Sequence, residues 1–141
     1  MEPVELYKGV LMDHYRRPRN QGWISHADAV GRSNNPLCGD EVEVQVRFNG
    51  DTLDQVGFRG HGCALCIASA SMMTEIVTGK GRSYALGICT TVQQLFTADQ
   101  SSGERAWPDL LTALSVVQQL PARWRCASLA WEALENALSQ R

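Results

Sequence analysis

The sequence predicts a small α+β fold, a three-stranded antiparallel sheet with helices packed on one face, and three observations point to it. Residues 41 to 48, EVEVQVRF, alternate apolar and polar without a break. A turn signal, Asn49-Gly50-Asp51, follows at once, and a second strand-like run comes after it. On either side of this block the apolar spacing is helical rather than alternating. Strands gathered together, with helices before and after, read as one sheet covered by helices.

Taken in order, residues 4 to 15 (VELYKGVLMDHY) place Val4, Leu6, Tyr7, Val10, Leu11 and Tyr15 near one helical face, with Gly9 as the weak point. The run RRPRNQG ends this helix, because proline cannot continue the hydrogen-bond ladder. His14 near that end is placed to meet the last carbonyls. Both His14 and His26 read as structural residues rather than ligands. A strand is expected in ADAVGRSNN, since two strands alone are marginal. In the alternating block Val42, Val44, Val46 and Phe48 face one way, and Glu41, Glu43, Gln45 and Arg47 the other, which predicts one buried and one wet face. Asn49 and Gly50 accept positive φ and so favour a tight hairpin. In the return strand, TLDQVGFRG, the apolar residues Leu53, Val56 and Phe58 slip phase once, which predicts a bulge near Asp54.

From about Ala64 to Val77 the pattern is helical, and TGKG stops it. Ala64, Ala68, Ser69, Ala70 and Ser71 make a smooth surface that another element can approach closely. Two more helical segments are expected near 91–98 and 108–119, split by DQSSGERAWP, with Pro108 suited to a first turn. A last helix contains CASLAWEALENAL, with Ala130, Ala133, Leu134, Ala137 and Leu138 on one face.

The chain of 141 residues suits a single domain, 1–141, and 44% apolar content is enough for a core. A net charge of −2 without a basic stripe argues against a nucleic-acid partner. No apolar run reaches transmembrane length, and the N-terminal residues do not resemble a secretory signal, so a cytoplasmic location is expected. In a reducing compartment the five cysteines, Cys38, Cys63, Cys66, Cys89 and Cys126, argue against a disulfide framework. Cys89, among the apolar neighbours of ALGICTTVQQL, reads as a small buried hydrophobe.

Three of the other thiols fall at junctions between elements. Cys38, in NNPLCGDEVEV, is bracketed by Pro36 and Gly39 just before a strand, with Asp40 two residues on. Cys63 stands at the mouth of a helix and Cys126 near the start of the last one. A helix N-terminus stabilises a thiolate, which is the form that binds metal and attacks sulfur. Three thiolates and an aspartate satisfy a tetrahedral Zn²⁺ and leave net negative charge, which Arg123, Arg125 or Lys80 would offset. The spacing matches no zinc finger. The chemistry favours a metal or sulfur site over three unrelated thiols.

The segments LYKGVLMDHYRRPRN, NPLCGDEVEV, GHGCALCIASASMMTE and CASLAWEAL, in this order over nearly the whole chain, resemble the U-type iron–sulfur assembly proteins, the family of IscU, SufU and the NifU N-terminal domain. The resemblance implies an α+β fold and a site made of Cys38, Asp40, Cys63 and Cys126. Within the family the chain is most similar to the SufU branch. Arg125 stands where IscU-type members carry a histidine, LPARW replaces their LPPVK stretch, and the segment between TGKG and PARWRC is longer. That branch implies bound Zn²⁺, a persulfide taken from a SufS-type cysteine desulfurase, and sulfur passed on to downstream iron–sulfur assembly proteins. Cys38, on a loop beside Gly39, is the expected sulfur acceptor, and Arg123 matches an arginine near the metal.

Three other readings stay open. The same ligands suit iron or a transient [2Fe–2S] cluster on a scaffold. A purely structural zinc module is the next. A CxxC thiol–disulfide oxidoreductase built on Cys63 and Cys66 is the third, although the βαβ setting of such enzymes is missing. Cys66 stands where SufU-type sequences have serine. Packing as a serine-sized residue is the favoured reading, over replacing Asp40 as a ligand or pairing with Cys63.

Overall fold

A computed structural model describes residues 3–36, 39–96 and 113–140. Its helices are α1 (Pro3–Arg16), α2 (Ala64–Val77), α3 (Arg82–Leu95) and α4 (Trp124–Leu138), and its strands are β1 (Ala29–Asn35), β2 (Asp40–Asn49) and β3 (Thr52–His61). Two 3₁₀ turns, Ser115–Gln119 and Pro121–Arg123, lead into α4. The strands form one antiparallel sheet in the order β1-β2-β3. Arg47 pairs with Gln55 but Phe48 with Leu53, so Asp54 is the extra residue of the expected bulge.

The apolar face of the sheet is dry over most of its area, with Phe48 at its end only partly buried. Val42, Val44, Val46, Leu53 and Phe58 are each 0% exposed. Helix α4 lies over β1 and β2, and α2 over β3, while α1 packs on α2 and α3 on α4. The expected apolar face of α4 is buried throughout. Its contact with β1 is backbone to backbone: a Cβ added at Gly31 would stand 2.0 Å from the Ala133 carbonyl oxygen and 2.5 Å from the Ala137 nitrogen. Only glycine on the strand, facing two alanines on the helix, permits that approach.

The edge of β1 is closed by side chains of α4 and of Gln140 just beyond it. The outward carbonyls of Val30, Arg32 and Asn34 accept hydrogen bonds from Gln140, Asn136 and Arg125 at 2.5, 2.9 and 3.0 Å. Polar groups that would otherwise invite another strand are thereby satisfied. The edge of β3 is covered as well: Gly22 N–H donates to the Phe58 carbonyl, Phe58 N–H to that of Asn20, and Leu53 N–H to that of Lys80.

Several expectations need correction. The polar face of β2 is not wet at its centre. Residues 20–24 cross it, Ile24 N–H donates to Gln45 Oε1 at 2.8 Å, and Gln45 is 0% exposed. Glu43, also buried there, accepts hydrogen bonds from Arg32 (2.6 Å) and Arg59 (3.1 Å). The helix expected at 91–98 begins at Arg82, because Ala85, Ile88, Cys89, Val92 and Leu95 already form a buried stripe. Of the segment expected at 108–119, residues 108–112 lie outside the described residues and 115–119 form a 3₁₀ turn rather than an α-helix. In α1, Leu11 is buried but Tyr15 is 43% exposed, and His14 takes the inward position; the side chains of Val4, Leu6 and Tyr7 lie outside the described residues.

His14 joins two helices rather than capping its own. Its Nδ1 is 2.7 Å from Ser71 Oγ and its Nε2 is 3.4 Å from Glu75 Oε1. Arg19 N–H donates to the same Ser71 Oγ, and the Glu75 carboxylate facing Nε2 favours the neutral tautomer with its proton there, in which Nδ1 accepts from the Ser71 hydroxyl. Burial, then the Arg19 charge, lowers the His14 pKa from its usual value. The unfolded chain therefore binds this proton at higher pH than the folded one does. The stabilisation is complete above the unfolded value of about 6.5 and is lost as pH falls through the folded value. We expect His14→Asn, which keeps a group able to bond Ser71, to lose less stability than the parent between about pH 7.5 and 5.5 in urea titrations. Parallel stability–pH curves for the two proteins would refute that role.

No helix among the described residues is long and apolar enough to cross a membrane.

Candidate metal centre

The register of the sheet builds one end of the site. Asp40 is the first residue of β2, opposite Asn35 of β1, and Glu41 pairs with His61, the last residue of β3. The start of β2 and the end of β3 are thus neighbours, and the chain needs only Gly62 to bring Cys63 beside Asp40. Cys63 is the N-cap of α2. Its N–H points at Asp40 Oδ2 across 3.5 Å. Gly62 makes the room: a Cβ there would stand 2.9 Å from Asp40 Cγ and 2.9 Å from Cys66 Sγ.

Cys126 comes from the other side, in the first turn of α4. A clamp between helices holds it in place. Ser69 of α2 donates to the Ala127 carbonyl (2.6 Å) and accepts from Trp131 Nε1 (3.0 Å), all of it buried. One donor atom each from Asp40, Cys63 and Cys126 then lie within 4.8 Å of one another. Asp40 is 6% and Cys126 4% exposed, and Cys63 is partly open.

Such a cluster calls for a cation. Burial first, then the Asp40 carboxyl and Cys63, push the Cys126 thiol up to about 12. The donors are two sulfurs and one carboxylate, approached by chain junctions rather than by long flexible side chains, and this set fits a thiophilic divalent ion such as zinc.

Cys38 lies outside the described residues. On either side of it in the chain, Gly39 N–H donates to the Asn35 carbonyl, and Gly39 has a φ of +78°. Arg123 is exposed at the N-cap of α4, three residues before Cys126. Two of the other cations weighed for charge compensation are engaged elsewhere. Arg125 bonds the Glu132 carboxylate and the Asn34 carbonyl. Lys80 sits by the opposite end of β3 from Cys63, over the Tyr84 ring. Cys89 is sealed in α3, where burial, then Glu135, raises its thiol to about 12. His26 is exposed in a turn at φ 58° and is not part of the Asp40–Cys63–Cys126 cluster. Cys66 is 0% exposed, in keeping with the favoured reading of it as a packed residue; what the residue pattern did not disclose is that it lies directly behind Asp40 and Gly62.

A three-stranded antiparallel sheet with helices on its dry face, and a thiol–carboxylate cluster where two strand ends meet two helix starts, describe a class of small metal- or sulfur-handling domain. The chain belongs to the NifU-like N-terminal domain family, whose profile matches residues 6–140. It is 36% identical over 135 residues to the zinc-dependent sulfurtransferase SufU of Bacillus subtilis strain 168, covering 96% of this chain and 90% of that one. It is 33% identical to the iron–sulfur cluster assembly scaffold protein IscU of Streptococcus pyogenes serotype M1, covering 96% and 84%. The crystal structure of FiSufU from Fervidobacterium islandicum AW-1 superposes with a TM-score of 0.84 at 29% identity, covering 97% of this chain and 99% of that one.

Proposed function

We propose that this chain serves iron–sulfur cluster assembly as a zinc-bound sulfur acceptor, taking sulfane sulfur from a SufS-type cysteine desulfurase and passing it to later assembly proteins. The observation that carries the reading is the convergence of Asp40, Cys63 and Cys126. Similarity to a zinc-dependent sulfurtransferase supports it. The ligands in this reading are Cys38, Asp40, Cys63 and Cys126. Bound there, Zn²⁺ keeps thiols as thiolates near neutral pH.

The chain's own residues do the rest. Cys38, as thiolate, attacks the terminal sulfur of the desulfurase persulfide. A new S–S bond forms at Cys38, the old one breaks, and the desulfurase cysteine leaves as thiolate. Cys38 is assigned on the sequence, where Pro36 and Gly39 bracket it just before the strand that Asp40 opens, whereas Asp40, Cys63 and Cys126 belong to a strand start or helix starts. Asp40, Cys63 and Cys126 are held by the sheet register and by the Ser69 clamp, so they keep the site together while Cys38 takes the sulfur. Arg123, exposed beside the α4 start, offsets negative charge as the persulfide arrives.

Mass spectrometry of the chain after incubation with a SufS-type desulfurase and cysteine tests the assignment. The parent and Cys126→Ala should be compared with Cys38→Ala, which is expected to gain no sulfur atom. A persulfide formed at normal yield on Cys38→Ala would show that the acceptor lies elsewhere.

A second reading has its own support in the similarity to IscU over 96% of this chain. There the same donors hold a [2Fe–2S] cluster as cargo.

A further inference from the structure

We propose that Cys63 and Cys66 are a redox modification site: hydrogen peroxide converts them into an intramolecular disulfide at the mouth of α2. The proposal deepens the reading of Cys63 as a working thiol of the metal centre, but its readout is the disulfide itself.

The positions make the pair unusual. Cys63 is the N-cap of α2, with φ −68° and ψ 170° and no side-chain capping hydrogen bond, and Cys66 is the third helical residue. Two cysteines three apart inside a helix have Cβ atoms about 5–6 Å apart, whereas a disulfide needs about 3.5–4.5 Å. Cys63 escapes that limit because its backbone is extended, not helical. A small rotation there closes the gap without unwinding α2.

Cys66 is aimed the right way. Helical side chains lean back toward the helix start, and the point where a Gly62 Cβ would sit is 2.9 Å from Cys66 Sγ. The thiol therefore lies against the backbone that immediately precedes Cys63. The same point is 2.9 Å from Asp40 Cγ, so Cys66 borders the metal centre from beneath. Exposure orders the chemistry: Cys63 is partly open, and Cys66 is 0% exposed.

The steps balance. The Cys63 thiolate attacks one peroxide oxygen; the O–O bond breaks, an S–O bond forms, and hydroxide leaves to become water. Cys66 sulfur then attacks Cys63 sulfur; the S–O bond breaks, the S–S bond forms, and a second water leaves with the Cys66 proton. Two thiols are oxidised and one peroxide is reduced. Cys63 is withdrawn as a metal donor, yet is kept from the irreversible sulfinic state and is recoverable by thiol reductants.

Both cysteines fall in one tryptic peptide, between Arg59 and Lys80, while Cys38 and Cys126 fall in others. The full chain, stripped with a chelator and treated with hydrogen peroxide, should be alkylated without reduction, digested and weighed. The expected product is that peptide lighter by two hydrogens and unalkylated, restored by dithiothreitol. In Cys66→Ser, and in Cys66→Ala as a second packing variant, Cys63 should instead reach the sulfinic acid, with a severalfold drop in recoverable thiol. Cys63 bridged to Cys126 or Cys38, or recovered as fully in the variants as in the parent, overturns the proposal. Disulfide formation in a chain that binds no zinc would defeat the metal reading and leave this one standing.

Discussion

Cys126→Ser is expected to remove tight zinc binding while leaving the fold in place. The residue is buried in the first turn of α4, and serine is nearly its size, so the packing change is small. The chemical change is large, because a hydroxyl near neutral pH does not supply the anionic sulfur that zinc prefers. Loss of an outer-shell partner alone costs about 10–100-fold in metal affinity, so loss of a direct donor should cost more than about 100-fold. Competition with a chromophoric chelator measures this. Cys89→Ser is the matched control: its thiol is also 0% exposed, but it is sealed in α3 away from the cluster. It should bind zinc as the parent does and lose about 1–3 kcal/mol of stability from burying a hydroxyl. Equal zinc affinity in the two variants would remove Cys126 from the site.

Trp131→Ala should be among the most destabilising single changes in the chain, by about 3–5 kcal/mol. Among the described residues Trp131 is the largest fully buried side chain, and its indole N–H donates to Ser69 Oγ. The substitution leaves a cavity between α2 and α4 and takes away one of the two hydrogen bonds that hold Ser69. In urea the midpoint should fall by on the order of 2 M. The effect reaches the site through geometry, since Ser69 also bonds the carbonyl of Ala127, next to Cys126. Trp131→Phe, which keeps most of the volume, should cost roughly 1–2 kcal/mol. A Trp131→Ala protein as stable as the Phe variant would mean that α4 is not seated as described.

The features legible in the sequence are those with a local signature. Alternation in β2, Asn49-Gly50 at the hairpin and the phase slip at Asp54 each report on a few adjacent residues, and each has its counterpart in the sheet. Helix α2 was legible at both ends, because small and apolar residues fill it and TGKG stops it. Helix α3 was less so: Gly87, Thr90 and Thr91 are poor helix formers, and packing on α4 overrides them. The cover over Gln45 was not legible, because residues 20–24 attach to the sheet largely through backbone groups that leave no pattern in side chains. Nor was the need for glycine at position 31, which depends on a helix about a hundred residues later. At the site, the junction positions of Asp40, Cys63 and Cys126 were legible, and the structure places their donor atoms within 4.8 Å of one another. That Cys66 packs behind Asp40 and Gly62 was hidden, because i+3 spacing fixes a face of a helix but not what lies behind it.

The most direct test of the account is metal analysis combined with X-ray absorption at the metal edge, on protein purified without added metal. The account predicts about one zinc per chain, in a four-coordinate shell of three sulfurs and one oxygen. A chain without stoichiometric metal, or one carrying iron with acid-labile sulfide and no zinc, would contradict it.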